Sequence, residues 1–144
     1  MDDLSVIHPV SVDEPIPFGV HLMIDGYIAD GAAMNDIGAF KDLLSTLPKE
    51  LGMHIIAGPE VVEVGPNCVK DPGGLSGFVM IAESHISFHT FPARGFVTID
   101  LYTCQNDVDT EQICARLIAA FGINDADVFL QNRGLRYPVA DIQV

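Results

Sequence analysis

Glu83-Ser84-His85-Ile86-Ser87-Phe88-His89-Thr90-Phe91, then Pro92-Ala93-Arg94-Gly95, then Phe96-Val97-Thr98-Ile99-Asp100-Leu101-Tyr102-Thr103-Cys104, is the stretch that decides the fold. Both runs alternate apolar and polar residues at period two, as half-buried strands do. The four residues between them hold proline and glycine, the residues of tight loops. If Pro92 to Gly95 closes a hairpin, Phe91 faces Phe96. Pairing then runs outward through His89 and Thr98, Ser87 and Asp100, and His85 and Tyr102, to Glu83 and Cys104. Side chains alternate across a sheet. One face carries Ile86, Phe88, Val97, Ile99 and Leu101, a surface for helix packing. The other carries His85, Ser87, His89, Thr98, Asp100, Tyr102 and Cys104. A slip of one residue would exchange the two faces.

The polar face is unusual in kind. It holds two imidazoles, a thiol, a carboxylate and a phenol, and buried polar groups destabilise unless they are satisfied. A metal site built from His85, His89 and Cys104 fails on reach, because positions i and i+4 on a strand lie roughly 13 Å apart. Nucleophilic catalysis pairing a Ser or Cys with a His is a second reading. A hydrogen-bonded polar face packed at an interface is a third. The residues alone leave the last two open.

The rest of the chain sets bounds. Its 144 residues form one domain with room for a core. With 49% hydrophobic and 19% charged residues it is not a disordered chain. The cysteines, Cys68, Cys104 and Cys114, are odd in number, which points to a reducing, cytoplasmic setting rather than a disulfide framework. No apolar run reaches membrane-spanning length, and the acidic start at Asp2 and Asp3 is unlike a signal peptide. The net charge of −13 argues against nucleic-acid binding. It weakly favours a cationic ligand, although most of these charges serve solubility.

Residues 1–17, with Pro9, Pro15 and Pro17, read as an irregular arm, and residues 18–144 as the single folded domain. Val20 to Ile28 reads as a strand. Asn35 caps a helix with Ile37, Phe40, Leu44 and Leu47 on one face, closed by Pro48 and Gly52. His54 to Ala57 and Val61 to Val64 read as two short strands, Gly65 to Gly74 as a loop, and Gly77 to Ala82 as a strand. Asp109, with Gln112 three residues on, starts a second helix that ends before Gly122. Ala126 to Leu130 and Val139 to Val144 read as final strands. The fold class is α+β, with two helices covering one face of a mainly antiparallel sheet.

Glu83-Ser84-His85, His89-Thr90-Phe91-Pro92 and Asp100-Leu101-Tyr102-Thr103-Cys104 together resemble the small prokaryotic S-adenosylmethionine decarboxylases, pyruvoyl enzymes that mature by self-cleavage. Gly74-Leu75-Ser76-Gly77 extends the likeness upstream. Gly19-Val20-His21-Leu22 and the Asp25, Tyr27, Asp30 spacing carry it weakly to the first strand. The resemblance implies cleavage between Glu83 and Ser84 into residues 1–83 and 84–144, with a covalent pyruvoyl group derived from Ser84 and no metal. It assigns processing to His89 and Ser76 and the proton donor to Cys104. It implies a Schiff base with an amino-acid-type, small-molecule substrate in polyamine biosynthesis. It also implies an αββα sandwich in which the sheets of a homodimer pack together, with active sites at the interface.

Three positions depart from the family pattern. Ala93 stands where a glutamate holds the nucleoside, Lys70 where an aromatic ring stacks on adenine, and Gln105 where glycine is common. These departures favour a basic amino acid, L-arginine or L-ornithine, slightly over S-adenosylmethionine as substrate, with Asp25, Asp30 or Asp100 available to the distal cation. A catalytically silent regulatory homologue is a third reading, opposed by the joint presence of Ser84, His89 and Cys104. Cys114 reads as core, Cys68 as a loop residue, Ser87 as a satisfied strand hydroxyl and His85 as support or structure.

Overall fold

The computed structural model describes residues 17–138 and 140. Its elements are β1 (Gly19–Tyr27), α1 (Ile37–Glu50), β2 (Ile55–Val64), β3 (Gly74–Ile81), β4 (Ser84–Phe91), β5 (Phe96–Thr103), α2 (Thr110–Phe121) and β6 (Asp125–Arg133). The strands form one sheet in the order β2-β3-β4-β5-β1-β6, antiparallel at every pairing. The hairpin register is the one the sequence implies, with Phe91 on Phe96, Ser87 on Asp100 and His85 on Tyr102. A short 3-10 turn, Pro92–Arg94, and Gly95 in the left-handed region (φ 58°) close it. A side chain at Gly95 would meet the Ile28 carbonyl, so glycine serves both conformation and space there.

The apolar face of the sheet is the buried one. Leu22, Ile24, Val79, Ile86, Phe88, Val97, Ile99 and Leu101 are all almost fully covered. Both helices lie on this face. Phe40 of α1 stacks on Phe121 of α2 at 4.6 Å, and both meet Phe88 edge-on at 5.2 Å. This three-ring contact fixes both helices on the centre of β4. Among the described residues, the opposite face carries no helix. Phe78, Met80, Tyr27 and Phe129 lie exposed there among polar residues.

Local boundaries differ from the sequence reading for identifiable reasons. Asn35 ends a 3-10 turn, and Asp36 is the cap of α1, its carboxylate accepting from Ala39 N–H at 3.0 Å. Pro48 lies inside α1 rather than after it, in the last turn, where only one helical donor is lost. The two short strands proposed between 54 and 64 are one strand, β2, irregular between Ile55 and Glu60. β3 begins at Gly74, which places Ser76 within the sheet. Asp109 caps α2 through Gln112 N–H, and Gly122 ends it, as read. Cys114 is only partly buried. The arm at 1–16 lies outside the described residues, as does the strand proposed over Val139 to Val144, apart from Ala140, which is in a turn. Among the described residues no helix is long and apolar enough to cross a membrane.

Candidate active site

Ser84 begins β4 directly after the two-residue turn Ala82–Glu83, which joins it to β3. Its φ is +151°, and it is the one non-glycine with positive φ among the described residues. A side chain in that region costs on the order of 1–3 kcal/mol. The pairings of β4 with β3 and β5 on either side offset that strain.

The peptide bond preceding Ser84 is held from two directions. The Glu83 carbonyl accepts from the Cys104 backbone N–H at 2.9 Å. A donor there polarises the carbonyl and would stabilise negative charge that develops on its oxygen during attack. On the other side, Glu83 Oε1 accepts from His54 N–H at 2.8 Å, Oε2 lies 3.1 Å from His54 Nδ1, and Ala82 N–H donates to the His54 carbonyl at 2.7 Å. The His54 N–H holds the Glu83 carboxyl below the usual carboxylate range, against the opposing effect of burial.

Ser76 and His89 form a second group. They face each other across β3 and β4, with Ser76 Oγ 2.8 Å from His89 Nδ1. His89 lies five residue steps along the extended strand from Ser84, about 16 Å at the usual rise. Within one chain, then, Ser84, Glu83 and Cys104 are together at one end of the hairpin. Ser76 and His89 are together nearer the other end.

Between them lies a cluster the sequence reading did not assemble. His21 Nε2 of β1 sits 2.8 Å from Asp100 Oδ1 of β5. The Tyr102 ring is flanked by His21 at 6.0 Å and His85 at 5.7 Å, and the Arg133 guanidinium lies 4.3 Å above it. Burial pushes the His85 imidazole below its ordinary value, His21 and Arg133 add to that effect, and Asp100 opposes it. The Gly19-Val20-His21-Leu22 run was the signal, but only the β5–β1–β6 strand order brings these residues together. Of the carboxylates offered for a distal cation, Asp30 is occupied in capping through Ala32 N–H at 3.1 Å, and Asp100 by His21. Asp25 lies on the open face between Thr98 and Asp127. Among the described residues no group of three or more His, Cys, Asp or Glu side chains is arranged to hold a metal ion.

The departing positions Lys70 and Ala93 do not line the same cavity. Lys70 lines one of about 370 Å³ together with Asp71, Arg94, Phe91 and Phe96. Phe91 and Phe96 stack there at 5.7 Å with 24° between the rings. Ala93 lines another, of about 300 Å³, with Asn35 and Glu63.

A strained serine behind a polarised carbonyl, at a turn of an otherwise regular sheet, is an arrangement chemically suited to a proenzyme that processes itself. The family model described as S-adenosylmethionine decarboxylase matches residues 20–134, and the chain belongs to that family. An S-adenosylmethionine decarboxylase proenzyme of Pyrobaculum aerophilum is 31% identical over 117 residues, covering 81% of this chain and 89% of that protein. One from Clostridium kluyveri is 28% identical over 125 residues, covering 87% and 94%. The crystal structure of the adenosylmethionine decarboxylase from Aquifex aeolicus VF5 superposes with a TM-score of 0.68 at 25% identity, covering 90% of this chain and 99% of that one. The chain is a pyruvoyl-dependent decarboxylase of this family.

Proposed function

We propose that this chain cleaves itself between Glu83 and Ser84 and then decarboxylates S-adenosylmethionine in polyamine biosynthesis. The observation that carries the reading is the left-handed Ser84 behind a carbonyl that accepts the Cys104 N–H. Ser84 Oγ bonds to the Glu83 carbonyl carbon, the C–N bond breaks, and the hydroxyl proton passes to the freed nitrogen. Loss of the Ser84 Cα proton with breakage of Cβ–Oγ then releases the Glu83 carboxylate. Water converts the remaining end into a ketone with loss of ammonia. The pyruvoyl group so made would supply the sink for the electron pair left on the substrate's α-carbon as carbon dioxide departs. Cys104, beside that end, returns a proton to the substrate carbon.

His89 and Ser76 serve processing, but they are too far from their own Ser84 to touch it. A homodimer packed through the open faces resolves the distance, because one protomer's Ser76–His89 pair then meets its partner's Ser84 and Cys104. Exposed Phe78, Met80 and Phe129 on that face would be covered in the same step. A cytoplasmic setting fits three free cysteines.

S-adenosylmethionine takes precedence over a basic amino acid for two reasons. The relatives described above carry that activity in their names. The stacked Phe91 and Phe96 also offer a π surface beside Lys70, and Glu63 a carboxylate beside Ala93, in place of the residues missing from the pattern. L-arginine or L-ornithine is the second reading, favoured by Lys70 and Ala93 themselves. Carbon dioxide release from the three compounds, measured side by side on cleaved enzyme, decides. Efficient release from S-adenosylmethionine is expected, raised further by Ala93→Glu with Lys70→Phe. Release from arginine or ornithine alone would transfer the assignment to the second reading.

A further inference from the structure

We infer that the Glu83 side chain is a positioning residue for the chain's own cleavage: anchored on the backbone N–H of His54, it keeps Ser84 in its strained conformation. This deepens the self-cleavage reading and rests on it. Three features meet at the turn. The Glu83 carboxylate bridges to His54 at 2.8 and 3.1 Å, Ala82 N–H bonds the same residue at 2.7 Å, and Ser84 has φ +151°. The Glu83 side chain is 12% exposed, whereas the His54 ring is 79% exposed. The backbone bond is therefore the durable part of the anchor, since water competes freely only for the ring.

The chemistry explains why an anchor matters. A two-residue turn relaxes most easily by rotating the peptide that enters the next strand. Glu83 is pinned on one side by its carboxylate and on the other by its carbonyl, which the Cys104 N–H holds. With both pinned, the strain stays in Ser84. Transfer of the acyl group from nitrogen to oxygen breaks the bond about which that peptide is fixed, and the strain is released only on the ester side. The anchor therefore favours the ester, and it should act before elimination rather than during it.

Cleavage is followed by intact mass from freshly made full-length chain, with and without hydroxylamine, which cuts esters. Glu83→Ala is expected to cleave roughly 5- to 100-fold slower than the unmodified chain, the range set by losing such strain. Its hydroxylamine-released fraction should fall in parallel. Glu83→Gln keeps an acceptor for His54 N–H and should recover most of the rate. Glu50→Ala, which removes a carboxylate paired with Arg116 between the helices, should change nothing. Wild-type cleavage by Glu83→Ala overturns the role while leaving self-cleavage intact. A wild-type hydroxylamine fraction with slow spontaneous cleavage also overturns it, moving Glu83 to the elimination step. An unmodified chain that never cleaves overturns both this role and the reading beneath it.

Discussion

The two ends of the β4–β5 hairpin are made of the same kind of strand but hold different chemistry. At one end Ser84 is strained, its neighbouring carbonyl is polarised and the turn is tied to His54. At the other, Ser76 and His89 make a relaxed hydrogen-bonded pair in regular sheet and line a cavity with Glu60, Phe78 and Ser87. Under the proposed function, the first end holds the bond to be cleaved and the second the groups that assist its cleavage. A single chain keeps them apart by about 16 Å, and the proposed homodimer is what would bring one protomer's pair to its partner's serine.

The severest way to break that comparison is at the strained end. Ser84→Ala should abolish cleavage, because no oxygen is left to attack, and the mass should stay that of the whole chain through long incubation. Next, Cys104→Ala should still cleave, because the Cys104 N–H on the Glu83 carbonyl belongs to the backbone. Its turnover should drop by roughly 10²–10⁴, the range for a lost general acid. A cleaved Cys104→Ala protein with full turnover would remove the thiol from the mechanism.

The distance between the ends can be tested by mixing. His89→Ala alone should cleave at least about 10²-fold more slowly. Refolded together with Ser84→Ala, the His89→Ala chain should regain cleavage, because each dimer of the two variants assembles one whole site. If mixing restores nothing, both ends serve the same chain and the two-fold arrangement is wrong. The smallest effect lies between the ends, at His85. Its folded-state value is lowered, so the unfolded chain binds the extra proton. Stability should therefore rise with pH from the depressed folded value up to about 6.5, the ordinary histidine value, and His85→Gln should flatten that part of a urea-midpoint profile.

The sequence made the relaxed architecture legible and the strained site only partly so. Period-two alternation with a Pro/Gly loop fixed the hairpin register, and Asp109 with Gln112 fixed the start of α2, because these are local rules. Pro48 was misjudged because a proline in the last turn of a buried helix loses little. The His21–Asp100 contact was invisible because it joins residues 79 apart through β1, a strand inserted between β5 and β6. Ser84 carried a chemical signal through its neighbours, but no pattern of residues announces a positive φ. Lys70 and Ala93, which the family pattern marks as losses of nucleoside-binding groups, line two separate cavities that offer other aromatic and acidic groups.

The strand order has a consequence for what survives a cut after Glu83. The first piece would own β1, α1, β2 and β3, and the second β4, β5, α2 and β6. In the sheet these do not sit side by side: β1 is threaded between β5 and β6, while β3 grips β4. Three of the five strand boundaries, β3–β4, β5–β1 and β1–β6, join one piece to the other. The two halves are woven rather than stacked. Neither can slide away without opening the sheet and uncovering the Phe40–Phe88–Phe121 cluster, so the nicked molecule should dissociate only by unfolding.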